Sequence, residues 1–208
     1  LAASSAELTV SSPVTDDVLL TSDSSLRCAR PAADGPAPVS AAAAQFEVLD
    51  FGGDLIALRE ATSRLLVTAD ERGRLTARAE RVGGWVAQEV FRRTVCTDGT
   101  WQLQHTGSGR FVGVEHHSGA LTLHDHTPAT AARFAAEVHA YGLDEFAAAV
   151  QGADSVILVI GNDPHIHGRE TADRPDVHLP EPARAAADHL AALPDDVPTI
   201  LVTISSST

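Results

Sequence analysis

One polar loop near the end of the chain concentrates the side chains that could do acid-base chemistry. It reads GNDPHIHGRETADRPDVHLP and runs from Gly161 to Pro180. Such a density of titratable groups in one loop is typical of a functional site. The candidate residues are Asp163, His165, His167, Arg169, Glu170, Asp173 and Arg174.

The pair His165 and His167 suggests a metal site, because alternate residues of an extended strand project to the same side. A third and a fourth ligand at metal-site spacing are not evident in the sequence. Hydrogen bonding to substrate hydroxyl groups, or plain solvation of the loop, is the favoured interpretation of both imidazoles. We therefore expect neither a metal nor a cofactor at this loop.

Two apolar runs and two helical patterns surround the loop and must position it. Residues 155–161 (SVILVIG) and 199–205 (TILVTIS) are rich in β-branched residues, a pattern typical of strands buried on both faces. A helical period covers residues 142–153, and a second helix is expected to begin after Pro180. The order helix, strand, loop, helix, strand predicts part of a parallel α/β sheet over residues 139–208.

The position of the loop within this α/β unit fits a binding role, since ligands of open α/β sheets bind beyond the carboxyl ends of the strands. Two strands alone cannot form a stable parallel sheet, because both faces and both edges need cover. We therefore expect the unit to be a piece of a larger domain. The missing part would belong either to the same polypeptide or to another chain.

In order and spacing, residues 153–208 resemble a segment of family 3 glycoside hydrolases, which include β-glucosidases and β-xylosidases. That family carries a V-x-V-G strand end, a variable loop, an E-G-x-D-R run, and L-x-L-P before a helix. This chain has LVIG ending at Gly161, ETADR beginning at Glu170 and VHLP ending at Pro180. It departs from the family at Thr171, where the family has Gly.

The resemblance implies a retaining hydrolase of O-glycosidic bonds in which Glu170 is the general acid/base. Retention needs one carboxylic acid to protonate the leaving oxygen and a second carboxylate about 5 Å away to attack the anomeric carbon. In the family that nucleophile is an Asp on a separate (β/α)8 barrel, which this sequence lacks. We therefore expect the chain alone to be inactive, with the missing barrel as its partner and an oligosaccharide or aryl β-glycoside as the substrate.

The other loop residues would bind the substrate or anchor the loop. An Asp-Arg pair at the end of a loop commonly fixes it against the next helix, so anchoring is the favoured role for Asp173 and Arg174. Arg169 could pair with Glu170 and lower its pKa, or point toward a substrate hydroxyl group. Asp163, His165 and His167 are candidates for substrate binding.

The first part of the chain, residues 1–138, contains an internal repeat with a period of about 45 residues. One copy starts with LIALRE at Leu55 and closes at Phe91, and another starts with WQLQH at Trp101 and closes at Phe134. A less regular first copy ends near Phe46. Aligning the two clear copies matches Arg64 with Arg110, Val67 with Gly113, Leu75 with Leu121 and Phe91 with Phe134.

Three four-stranded copies of this kind predict a β-trefoil, similar to the fascin-like or ricin-like trefoils, with G-R-F-V and G-x-L as the most specific elements. The predicted fold is therefore mainly β: a trefoil over residues 1–138, then the partial α/β segment. We expect Phe46, Phe91 and Phe134 to fill the trefoil core and not to stack on sugars.

Composition limits the classes of partner. The formal net charge is -13 with no Lys, so a basic nucleic-acid-binding face is not expected. No apolar run approaches the roughly 20 residues of a membrane-spanning helix, and we expect a soluble bacterial protein, either cytoplasmic or secreted. Cys28 and Cys96 form at most one pair, and two buried free thiols are the favoured interpretation.

Two other functions remain open at this stage. The trefoil could be a non-catalytic carbohydrate-binding module, although the Q-x-W motif of ricin-like sugar sites is absent. Actin bundling, by analogy with fascin, would rest on the fold alone. The favoured hypothesis is a β-xylosidase-like or β-glucosidase-like enzyme segment in which the trefoil shapes the substrate cleft.

Overall fold

The structure is a computed structural model that describes residues 15–20, 44–114, 121–124, 127–163, 165–166, 178–194 and 196–205. Within these ranges the protein is mainly β, as predicted. Ten strands form one antiparallel sheet. They are β1 Thr15–Leu20, β2 Ala44–Asp50, β3 Leu55–Glu60, β4 Leu66–Ala69, β5 Leu75–Ala79, β6 Phe91–Val95, β7 Trp101–His105, β8 Phe111–Val114, β9 Leu121–His124 and β10 Ala136–Ala140.

Six of these strands nearly close into a barrel, in the order β10, β1, β2, β3, β6, β7. The two ends meet where the Trp101 N–H donates to the Phe134 carbonyl at 2.8 Å and the Phe134 N–H donates back at 2.9 Å. Two hairpins extend from the barrel, one formed by β4 and β5 and the other by β8 and β9. Near closure leaves few unpaired sheet edges in this part of the protein.

One pairing register recurs at three places around the barrel. At each place one residue has a partner on either side. One partner is Phe46, Phe91 or Phe134. The other partner lies four positions after a different one of these Phe residues. The three sets are Val18 with Phe46 and Val138, Ile56 with Phe91 and Asp50, and Trp101 with Phe134 and Val95.

The hairpins correct the predicted alignment by one residue. Arg64 (φ 61°) and Gly109 (φ 71°) are both left-handed, and each donates its N–H to the carbonyl four residues before it. Arg64 therefore corresponds to Gly109 and not to Arg110, and Val67 corresponds to Val112 and not to Gly113. Matching the identical Arg residues misplaced the turn, because backbone conformation and not side-chain identity defines it.

The barrel core contains the three Phe residues that the sequence singled out. Phe46, Phe91 and Phe134 are all buried in one cluster that also includes Ile56, Trp101 and several Leu and Val side chains. The prediction that these rings fill the core is confirmed, and they are not available as an exposed platform for sugars.

The last part of the described chain contains α1 (Gly142–Val150), β11 (Val156–Gly161), α2 (Glu181–Ala191) and β12 (Thr199–Ile204). The two strands pair in parallel from Val156 opposite Thr199 to Gly161 opposite Ile204. Alternate residues of β11 are buried against both helices in one apolar cluster. Strand β10 continues to Ala140, two residues past the predicted boundary between the parts.

The prediction that both apolar strands are buried on both faces is wrong for this chain. Val156, Leu158 and Ile160 are buried, but the intervening Ile157 and Val159 are exposed. Every residue of β12 is exposed. The physical reason is that both helices pack on the same face of β11, so the other face and β12 lack cover among the described residues.

Candidate functional site

A cleft of about 690 Å³ lies between the barrel and the parallel strand pair. One wall comes from β2, β3, the start of β4 and the segment after β5. The other comes from the carboxyl ends of β11 and β12 and the first turn of α2. Its lining residues are Leu49, Asp50, Phe51, Arg59, Leu66, Glu80, Arg81 and Val82 on the barrel side, and Val159, Ile160, Gly161, Asn162, Asp163, His165, Pro180, Pro182, Ala183 and Ile204 on the other.

Two of the predicted site residues, Asp163 and His165, lie on this cleft. The carboxylate Oδ1 of Asp163 accepts the backbone N–H of His165 at 2.8 Å and lies 2.9 Å from the ring Nδ1 of His165. A carboxylate only accepts hydrogen bonds, so the proton of a neutral His165 ring is on Nδ1. Nε2 is then an acceptor, suited to a hydroxyl group of a ligand.

The remaining predicted residues, His167, Arg169, Glu170, Asp173 and Arg174, lie outside the described residues. The ends of their loop are described, however. Its first residues, from Gly161 to Asp163, line the cleft, and so does Pro180 at its far end. The loop therefore leaves and rejoins the described structure at the same cleft.

Two glycines mark close approaches beside the cleft. A side chain at Gly161 would collide with the carbonyl oxygen of Ile204, so the end of the strand pair requires a residue without Cβ. Gly52 has a φ of +81°, and a Cβ there would lie 3.3 Å from the backbone nitrogen of Glu181. Gly52 thus brings the barrel against the first turn of α2.

The barrel wall carries two charged side chains held by their neighbours. Asp50 accepts the Gly52 N–H at 2.8 Å and pairs with Arg93 at 3.5 Å. The Arg93 guanidinium lies 5.0 Å from the ring centroid of Trp101, a cation-π contact that fixes its position. Arg59 pairs with Glu47 at 3.0 Å.

Asp50 and Arg59 are not among the residues predicted from the sequence. They are ordinary charged residues on separate strands, and no motif marks them. A signal appears only when strand pairing is known, because the register places Arg59 of β3 opposite Glu47 of β2.

A buried imidazole lies apart from the cleft, in the barrel. Burial lowers the pKa of His105, because the charged ring would lose its hydration. The nearby Arg110 lowers this pKa further, whereas the Gln88 backbone and Glu89 oppose the shift. The ring Nδ1 lies 2.9 Å from the Ser108 hydroxyl oxygen. His105 is thus held neutral as part of the core.

Within the described ranges, no group of three or more His, Cys, Asp and Glu side chains could hold a metal ion. Cys96 is a free thiol and is half-buried, not fully buried as predicted, while Cys28 lies outside the described residues. None of the described helices is long and apolar enough to cross a membrane.

No protein-family model matches the chain, and no curated protein matches it. Similar solved structures include the designed threefold-symmetric protein ThreeFoil, at 14% identity over 59% of this chain and 96% of that one, with a TM-score of 0.42. A GH43 β-1,3-galactosidase is 15% identical over 59% of this chain, with a TM-score of 0.43, and the match spans 26% of the galactosidase. A Polyporus squamosus lectin is 12% identical over 60% of this chain and 49% of the lectin, with a TM-score of 0.40.

These structural likenesses are too weak to carry an argument about function. The chain itself forms a nearly closed, mainly β barrel, and the cleft between this barrel and the strand pair is lined mostly by apolar side chains.

Proposed function

We propose that this chain is part of a retaining β-glycosidase, of the β-xylosidase or β-glucosidase kind, in which the barrel forms one wall of the substrate cleft. The observation that carries the proposal is the position of the loop ends. Asp163, His165 and Pro180, from the two ends of the loop that contains Glu170, line the same cleft as Asp50 and Arg59 of the barrel.

The barrel is proposed to be a β-trefoil of three repeats. The support is the pairing register, which recurs with Phe46, Phe91 and Phe134 at equivalent places. The hairpins of the second and third repeats are β4–β5 and β8–β9. The corresponding part of the first repeat, residues 21–43, lies outside the described residues.

In this proposal Glu170 donates a proton to the leaving glycosidic oxygen and later removes one from water. The nucleophilic carboxylate comes from a (β/α)8 barrel domain that this chain does not contain. His165 supports the site as a hydrogen-bond acceptor for a sugar hydroxyl group, because Asp163 holds the proton on its Nδ1. The same proposal assigns anchoring of the loop to Asp173 and Arg174, which lie outside the described residues.

The test uses a protein that contains both this chain and the nucleophile domain. Glu170→Ala should slow the hydrolysis of β-glycosides with poor leaving groups most, since these need the proton, and azide should restore part of the lost activity. Glu71→Ala, at an exposed turn of the barrel, is the matched control and should have no effect. Equal losses for good and poor leaving groups, without rescue, would refute the role of Glu170.

A second measurement separates the enzyme from a plain binding module. The 208-residue chain alone should not hydrolyse aryl β-xylosides or β-glucosides, because it lacks the nucleophile. If the protein with both parts is also inactive while the chain binds oligosaccharides, the carbohydrate-binding alternative replaces the enzyme proposal.

A further inference from the structure

One face of the parallel strand pair carries a continuous aliphatic surface that stays largely exposed. Residues in register on parallel strands point to the same side of the sheet. The pairing therefore sets side chains of β11 and β12 next to each other on the side of β11 that faces away from α1 and α2. This aliphatic face consists of Ile157, Val159, Ile200, Val202 and Ile204, which are 38–65% exposed.

The chemistry of the aliphatic face fits an apolar protein surface and not a polar ligand. Neither β11 nor β12 contains a charged residue. The opposite face of β12 is more polar, since it carries Thr199, Leu201 and Thr203. A surface of Ile and Val side chains offers no hydrogen-bonding group and is stabilised when other apolar side chains cover it.

The size of the aliphatic face decides between a second copy of the chain and a smaller partner. Neighbouring strands lie about 4.8 Å apart and rise about 3.3 Å per residue, so the face measures about 10 Å by 20 Å. Such a face offers at most about half of the roughly 800 Å² that each partner of a stable dimer buries. A second copy packed on this face alone would therefore not be held stably.

A single helix matches the face in both dimensions. An α-helix is about 10 Å across, and about 13 residues span 20 Å. Parallel strands are typically covered by helices on both faces. The other face of β11 already follows this rule, because it packs against α1 and α2, which have 9 and 11 residues.

The aliphatic face is continuous with the candidate functional site. Val159 and Ile204 belong both to this face and to the lining of the cleft, at the carboxyl ends of the two strands. An element that covers the face therefore also extends the wall of the cleft.

We infer that the aliphatic face is the docking site of one amphipathic α-helix of about 13 residues, supplied from outside this 208-residue chain. Its apolar side packs on the five Ile and Val side chains, and its polar side faces solvent. None of these residues takes part in the proposed acid/base chemistry, so the outcome of Glu170→Ala leaves the inference unaffected.

The binding test uses the 208-residue chain and a fluorescein-labelled synthetic peptide of about 18 residues, with Leu and Ala on one side of its helix and Glu and Arg on the other. A control peptide has the same composition and no net charge either, but its apolar and polar residues alternate as in a strand. The helical peptide should bind in fluorescence anisotropy and gain helical circular dichroism signal, whereas the control should not bind. Binding of neither peptide, or of both alike, would overturn the inference.

Variants of the chain locate the binding surface. Ile157→Lys and Ile200→Lys should each weaken binding of the helical peptide by roughly 10-fold or more, because each removes an aliphatic contact and places a charge in the interface. Val95→Lys is the matched control, since Val95 is 58% exposed on β6 of the barrel. Equal weakening by Val95→Lys would mean that the peptide binds elsewhere and refute the docking site. Circular dichroism melting identifies variants that fail to fold, and the β-branched replacements Ile157→Thr and Ile200→Thr then take their place.

Sedimentation velocity at rising concentration tests the competing occupant. The chain alone should not form a stable dimer through this face. A dimer that Ile157→Lys abolishes and Val95→Lys preserves would make a second copy the occupant, and the inferred helix would be wrong.

Discussion

Replacing Phe91 by Ala tests the barrel core most directly. Phe91 is fully buried, and it lies opposite Ile56 on one side and His105 on the other. Its ring also packs 5.7 Å from the His105 ring. Truncation to Ala removes this packing and leaves a cavity lined by side chains that are held in place by strand pairing.

The expected cost of Phe91→Ala is about 3–5 kcal/mol of unfolding free energy, as for other buried Phe residues. Domains of ordinary stability have unfolding free energies of about 5–15 kcal/mol, so the variant would lose about a fifth of its stability or more. Phe46→Ala and Phe134→Ala should cost similar amounts if the three rings occupy equivalent places. Trp85→Ala, at a side chain that is 70% exposed, is the control and should stay within about 0.5 kcal/mol.

Urea unfolding followed by tryptophan fluorescence measures these costs. The chain has two Trp residues, so a Trp85→Phe background leaves the buried Trp101 as the single reporter of the barrel. A loss for Phe91→Ala as small as that for Trp85→Ala would refute the core assignment. Weaker sugar binding with unchanged stability would instead indicate a stacking platform.

Three further predictions concern pH, strand packing and domain independence. The pKa of His105 is lowered below 6.5 in the folded state, so the unfolded chain binds more protons just below that pH. The contribution of His105 to the unfolding free energy should be at its full value above pH 6.5 and should fall as the pH drops from 6.5 toward the folded pKa. His105→Gln should flatten this pH dependence in urea titrations across that range. Gly161→Ala should lower stability by about 1–3 kcal/mol in thermal melts, because its Cβ would collide with the Ile204 carbonyl, whereas Gly83→Ala meets nothing and serves as the control. A chain that ends after Ala140 should keep its β circular dichroism signal and melt cooperatively, and an unfolded product would contradict an independently folding barrel.

The sequence was informative where one physical requirement repeats. Phe46, Phe91 and Phe134 recur because a closed β core needs a large apolar side chain at equivalent places, and this period predicted their burial. The alignment of Arg64 with Arg110 failed because a left-handed turn residue is defined by backbone conformation. Glycine adopts that conformation easily, but other residues can be held in it by their surroundings.

The cleft was harder to predict. Asp163 and His165 stood out because they cluster in one loop, whereas Asp50 and Arg59 lie on different strands and meet the cleft only through pairing. The apolar run of β11 predicted cover on both faces. A sequence pattern reports what burial a strand is suited to, and it does not report which neighbours are present to provide it.

The exposure of strand β12 has a practical consequence for handling the protein. Its exposed apolar residues include Ile200, Val202 and Ile204, and among the described residues only β11 pairs with it. An edge strand of high β propensity without charge is a template for pairing with strands of other molecules, which leads to aggregation. A single Lys in place of Val202 should interrupt that template, and light scattering at rising protein concentration would show the gain in solubility.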